Sequence, residues 1–89
     1  MSFTPGFAPD AESQWQELDF ELQELVLDEM ERLALDPPRA VGGVIEHDFA
    51  HDRAGLRHYI FMRSVVDRRA RTIHVIGIEH LVKPIPDQA

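Results

Sequence analysis

Apolar residues recur at intervals of three and four through Leu22, Leu25, Val26, Met30 and Leu33, while Glu21, Glu24, Asp28, Glu29 and Glu31 take the other positions. This spacing predicts an amphipathic helix, because 3.6 residues per turn gather such positions into one stripe. Asp19 stands where a helix-capping carboxylate belongs. Asp36-Pro37-Pro38 predicts the stop, since proline cannot continue the ladder and pushes the residue before it out of helical geometry. A shorter helix is expected ahead of it, beginning at Asp10 or Ser13, with Ser13 and Gln16 at capping-box spacing and Trp15 and Leu18 on one side. With little chain between them the two helices should form a hairpin, with Trp15 and Phe20 as core or hairpin-packing residues.

After Gly42 and Gly43 the period changes from 3.6 to 2. Val44 to Phe49, Leu56 to Val66 and Thr72 to Val82 read as strands rich in Val, Ile, Tyr and Phe. His51 to Gly55 and Asp67 to Arg71 have turn chemistry, which predicts two hairpins. Phe3 to Ala8 is a candidate edge strand, weakened by Pro5 and Gly6. The expectation is one α+β domain over residues 1–89: an N-terminal helical hairpin packed on a small antiparallel sheet of three to four strands, with residues 83–89 as a tail. Val44, Ile60, Ile76 and Ile78 are more apolar surface than one helical hairpin covers, so a homodimer is expected in isolation.

Charge divides the chain at the same place. Residues 1–49 carry twelve carboxylates against Arg32 and Arg39, and residues 50–89 carry seven cations against four carboxylates, within a total of −7. That balance argues against a general phosphate binder, yet leaves a basic patch in the second half. The sequence contains no cysteine, which gives no support to a disulfide framework, a thiolate metal site or a thiol nucleophile. No apolar run is long enough for a membrane span, and the N-terminus lacks the pattern of a signal peptide, so a cytoplasmic protein with no membrane partner is expected.

Several stretches together resemble the RelE/ParE toxin superfamily. They are Phe7-Ala8-Pro9-Asp10-Ala11, the short helix ending in Leu18, the helix with Val26-Leu27-Asp28-Glu29-Met30-Glu31-Arg32-Leu33, the stop at Asp36-Pro37-Pro38, and a last strand from Arg71 through alternating aliphatics to His80. The resemblance spans about residues 3–82 and implies the toxin of a type II toxin–antitoxin pair. Such a toxin is either a ribosome-dependent messenger-RNA endoribonuclease or an inhibitor of DNA gyrase, silenced by a cognate antitoxin wrapped over it. Two departures bear on activity. Leu81 stands where the family's nucleases often carry a basic or aromatic side chain, and the tail lacks the frequent C-terminal tyrosine. The alternative is a non-catalytic interaction module of the same fold.

RNA cleavage of this kind needs a base, an acid and cations for the developing phosphorane charge. Arg57, Arg63 and His80 are the candidate catalytic residues, drawn from a set that also holds His58 and Tyr59. On one strand Arg57, Tyr59, Phe61 and Arg63 share a face by period two, and two arginines along a groove can hold a phosphate. The competing reading makes them solvated residues or partners of the acidic helices. His47 and His51, with Asp48 and Asp52, resemble metal ligands in type but not in spacing: four residues along a strand are roughly 13 Å apart. No metal or cofactor is therefore assigned. Arg68-Arg69-Ala70-Arg71 reads as a basic hairpin tip, and Ser64, near a histidine cluster, lacks the context of a catalytic serine.

Overall fold

The computed structural model describes residues 3–39 and 41–86. Its elements are β1 (Thr4–Phe7), α1 (Pro9–Gln16), α2 (Phe20–Leu35), a single 3-10 turn (Val41–Gly43), β2 (Val44–Arg53), β3 (Leu56–Asp67) and β4 (Thr72–Pro84). The strands form one sheet in the order β1-β4-β3-β2. The two hairpins are antiparallel as expected, and β1 joins parallel to β4, which makes the sheet mixed. Thr4 and Ala8 donate their backbone N–H groups to Arg71 and Val75. The even positions of β1 therefore point their N–H groups at β4, and the missing donor of Pro5 lies on the outer edge, where it costs nothing.

Helix α1 starts at Pro9, earlier than either expected start. Proline at the first helical position loses only an N–H that has no partner in the helix. Ala8 makes no side-chain cap, and Ser13 and Gln16 lie within the helix, so no capping box forms. Asp19 does cap α2, accepting from the Leu22 N–H at 3.1 Å. The hairpin is closed by reciprocal bonds: Trp15 Nε1 donates to the Gln23 carbonyl at 3.1 Å, and Gln23 Nε2 donates to the Trp15 carbonyl at 3.2 Å. Phe20 is not a packing residue. It opens α2 pointing outward and is 75 % exposed.

The strands outrun their expected ends. β2 continues through His51, Asp52 and Arg53, and the turn shrinks to Ala54-Gly55, with φ of 54° and 78°. Two successive left-handed residues give a turn whose twist matches that of the strands. β4 continues through Lys83 and Pro84, into the segment expected to be a tail, and the Ile85 N–H bonds to the Gly55 carbonyl. Residues 87–89 lie outside the described residues. Gly43 is needed where it stands, at φ 77° with a built Cβ only 3.0 Å from the Val66 carbonyl.

Both helices cover the same face of the sheet. Leu22, Val26 and Met30 of α2 with Ala11 and Leu18 meet Ile60 and Met62 of β3 and Val75 and Ile78 of β4, and a second cluster joins Leu33 and Ala34 to Ile45, Val66 and Ile73. On β4 the buried positions change parity, from Ile73 and Val75 to Ile78. The ladder explains this, since Arg63 pairs with Gly77 and Ser64 with Val75, leaving Ile76 as the extra residue of a bulge. Ile60 and Ile78 are thus covered, whereas Val44 and Ile76 are exposed. No helix among the described residues is long and apolar enough to cross a membrane.

Candidate functional site

The register assigns each candidate residue to a face. Ile60, Met62, Ser64 and Val66 of β3 are buried against the helices, so Arg57, Tyr59, Phe61 and Arg63 share the opposite, open face. His80 pairs in register with Ile60 and therefore lies on the helix-covered side. Arg57 and Arg63 are thus brought to one surface and His80 to the other, with the sheet between them.

On the open face each arginine is met by a carboxylate directly across the ladder. Asp52 is the register partner of Arg57 and Glu46 that of Arg63. Asp52 accepts from Arg57 through both oxygens, at 2.7 and 3.0 Å, and Glu46 accepts from Arg63 at 2.7 Å. The bond to Asp52, then that of Tyr59, raises the Arg57 pKa well above the ordinary arginine value, and Arg57 in turn lowers that of Asp52. The sequence offered the acidic helices as partners, but the edge strand β2 supplies them. Tyr59 and Phe61 stack with ring centroids 6.2 Å apart. Lys83 pairs in register with Arg57, and Leu81 with Tyr59. Lys83 belongs to this surface because β4 runs further than expected, and among the described residues it forms no ion pair. Strand parity from Leu81 was the signal that could have placed it.

An open trough of about 650 Å³ crosses this face from Gln14 at the edge of β4 to Glu46 and Asp48 on β2, past Phe61, Arg63 and Glu79. Gln14 reaches that edge because β1 ends at Phe7 and α1 runs on beside β4. Its side-chain carbonyl accepts from the Ile78 N–H at 2.7 Å.

The helix-covered side holds four histidines, His47, His51, His58 and His80. Arg53 binds Asp19 through two nitrogens at 2.6 and 3.2 Å and Glu21 at 2.7 Å, tying β2 to the start of α2, and His51 Nε2 lies 3.0 Å from Glu21. Arg53 thereby holds the Asp19 carboxyl far below the ordinary range, with the Leu22 N–H assisting. His58 Nδ1 and His80 Nε2 are 2.9 Å apart. Desolvation, then the charge of His58, lowers the His80 pKa from its usual value. His47 does not approach His51 for metal chelation; its Nδ1 lies 3.1 Å from Glu29 and its Nε2 3.1 Å from the Ser64 hydroxyl. Carboxylate, imidazole and hydroxyl in that order are the parts of a hydrolase triad. Ser64, however, has no exposed surface, so no substrate reaches it and the chain of bonds acts as a strut between α2 and the sheet. A serine among Ile60, Met62 and Val66, at a core position of β3, was the sequence signal that it needed a buried partner. At the far hairpin Arg68 folds back, donating to the Pro37 and Pro38 carbonyls at 3.3 Å and lying 5.8 Å from the centre of the Phe3 ring.

No protein-family model and no curated protein matches the chain. Solved structures do share its fold. The isolated Escherichia coli toxin RelE superposes with a TM-score of 0.66 at 14 % identity, over 98 % of this chain and 89 % of that one. A chain of the intact E. coli RelBE toxin–antitoxin complex gives 0.63 at 15 %, over 86 % and 94 %. The archaeal RelE–RelB complex from Pyrococcus horikoshii gives 0.59 at 14 %, over 89 % and 94 %. The helical hairpin on one face of a small sheet is thus the RelE fold.

Proposed function

We propose that this chain is the toxin-like component of a type II toxin–antitoxin pair and that it works by binding a protein partner over its open sheet face. The observation that carries the reading is the one-sided architecture. Both helices cover one face, and the other presents Val44, Phe61, Ile76 and Leu81, each about two-fifths exposed, beside a trough across three strands. Structures of this fold occur in complexes with antitoxins, which supports a cognate antitoxin as the partner.

Of the activities a toxin of this kind can have, messenger-RNA cleavage on the ribosome is the weaker reading here and inhibition of a target such as DNA gyrase the less demanding one. Arg57 and Arg63 are each paired with a carboxylate in register, and His80 faces the other way, so a phosphate would compete with Asp52 and Glu46 for the guanidinium groups. A second reading is a non-catalytic module that pairs with itself; the free edge of β2, which among the described residues pairs only with β3, favours it.

Induced expression of the wild type and of an Arg57→Ala/Arg63→Ala variant, with growth curves and mapping of transcript ends, tests the reading. Growth arrest without new RNA ends, relieved by co-expression of an antitoxin that co-purifies with the chain, is the expected result. New RNA ends that vanish in the variant establish cleavage instead. Normal growth and no co-purifying partner reject the toxin reading.

A further inference from the structure

At the centre of the trough three side chains form one row across the sheet. Phe61 of β3 is the register partner of Asp48 of β2 on one side and of Glu79 of β4 on the other, all on the open face. Phe61 is 40 % exposed, and Tyr59 stacks beside it. Two strand spacings separate the carboxylates, so their backbones lie about 10 Å apart with the phenyl ring between them. Among the described residues neither Asp48 nor Glu79 has an ion-pair partner. The neighbouring Arg63 is engaged by Glu46 and contributes no net charge to the row.

We propose that this row is the docking site for an arginine side chain carried on an extended segment of a protein partner. The inference rests on the reading of the open face as the partner-binding surface and names the chemistry of that contact. A guanidinium is planar and weakly hydrated, so it can lie on the Phe61 ring while its edges donate to the flanking carboxylates. An ammonium is a compact point charge and cannot serve both acids from one position over the ring. The apolar residues around the row, Leu81 and Ile76, suit the rest of a peptide backbone better than a ribose-phosphate chain. A nucleic-acid phosphate placed there would meet two free carboxylates.

The test is a titration of the isotopically labelled full chain, followed by backbone amide shifts. The probe is a short glycine–serine peptide with one arginine, compared with the same peptide carrying citrulline, which keeps the shape and loses the charge. The arginine peptide should shift amides at residues 46–49, 60–63 and 76–80, and the citrulline peptide should bind about tenfold more weakly, the factor that corresponds to a desolvated cation–π contact with a charge-assisted bond. Asp48→Asn with Glu79→Gln should cost a similar factor, and Phe61→Leu, which keeps an apolar side chain without the ring, severalfold. Equal binding of the citrulline peptide, shifts elsewhere on the chain, or a single-stranded RNA oligonucleotide that titrates these amides when the arginine peptide does not would each overturn the proposal. The two readings fail separately. Normal growth with arginine-specific shifts removes the toxin role alone, and an antitoxin complex insensitive to Asp48, Phe61 and Glu79 removes this contact alone.

Discussion

His58 and His80 meet edge to edge: a 2.9 Å contact joins Nδ1 of the first to Nε2 of the second, with ring planes 16° apart and centroids 5.2 Å apart. Near-parallel planes with so short a nitrogen contact and so wide a centroid separation place the rings side by side in one plane, not face to face. The contact is therefore an N–H···N hydrogen bond, in which one imidazole must keep a lone pair.

Acidification should break that bond. Glu17 and Asp19 of the α1–α2 link, Glu21 of α2, and His51 and Arg53 of β2 are the charged groups around the pair. Burial and the charge of His58 lower the His80 pKa. The folded state thus binds its proton less readily than the unfolded chain, and stability rises with pH across the window. The contribution is complete above about pH 6.5, the unfolded value, and is lost as pH falls through the lower folded value. Urea unfolding from about pH 7.5 to 5 should show declining stability, and His80→Gln, which cannot be protonated, should flatten the slope. An unchanged slope in the variant would remove His80 from this role.

The strut from Glu29 through His47 to Ser64 carries a different expectation. Ser64→Ala removes a buried acceptor or donor without opening much space, and should cost about 1–3 kcal/mol in urea unfolding, the usual penalty for a buried polar group left unpaired. Burial raises the Glu29 pKa, but the bonds from Arg32 and His47 outweigh it and hold it low. Its stabilisation is accordingly present above about pH 4.5 and lost as pH falls through its depressed folded value. A fluorophosphonate probe should not label Ser64 in the folded chain, and labelling would show that the hydroxyl is reachable after all.

Gln14→Ala should loosen one edge of the sheet. Its carbonyl is the acceptor for the Ile78 N–H where β1 no longer covers β4. Hydrogen exchange at the Ile78 amide should accelerate by about fivefold, equivalent to a net loss of about 1 kcal/mol for one hydrogen bond, while amides paired between β2 and β3 remain protected. Unchanged exchange at Ile78 would mean that the side chain does not protect this edge.

Freeing the arginines should change the nucleic-acid affinity of the open face. Asp52→Asn with Glu46→Gln removes the carboxylates that face Arg57 and Arg63 and leaves both arginines, with Lys83 across from Arg57 on β4, available to a phosphate. RNA binding in a filter or fluorescence assay should then strengthen, and its salt dependence should steepen by about one to two phosphate contacts. Affinity equal to wild type would show that pairing does not mask these residues.

Elements that depend on local chemistry are legible in the amino-acid order alone. The stripe from Leu22 to Leu33 makes α2, Asp19 caps it, Pro37 and Pro38 end it, and the alternation along β3 puts Arg57, Tyr59, Phe61 and Arg63 on one face. Each of these follows from helical or strand periodicity, a cap, or the backbone limits of proline, which operate within a few residues. What lies opposite what is set by contacts across the fold. Pairing of Asp52 with Arg57 and Glu46 with Arg63 depends on a two-residue turn at Ala54-Gly55, one shorter or longer loop away from a different register. The place of His80 depends on the bulge at Ile76, because a single extra residue exchanges the two faces for everything beyond it. The parallel union of β1 with β4 and the bonds of His47 to Glu29 and Ser64 join residues far apart in the chain, and no periodicity along a strand or helix encodes contacts made across the whole fold.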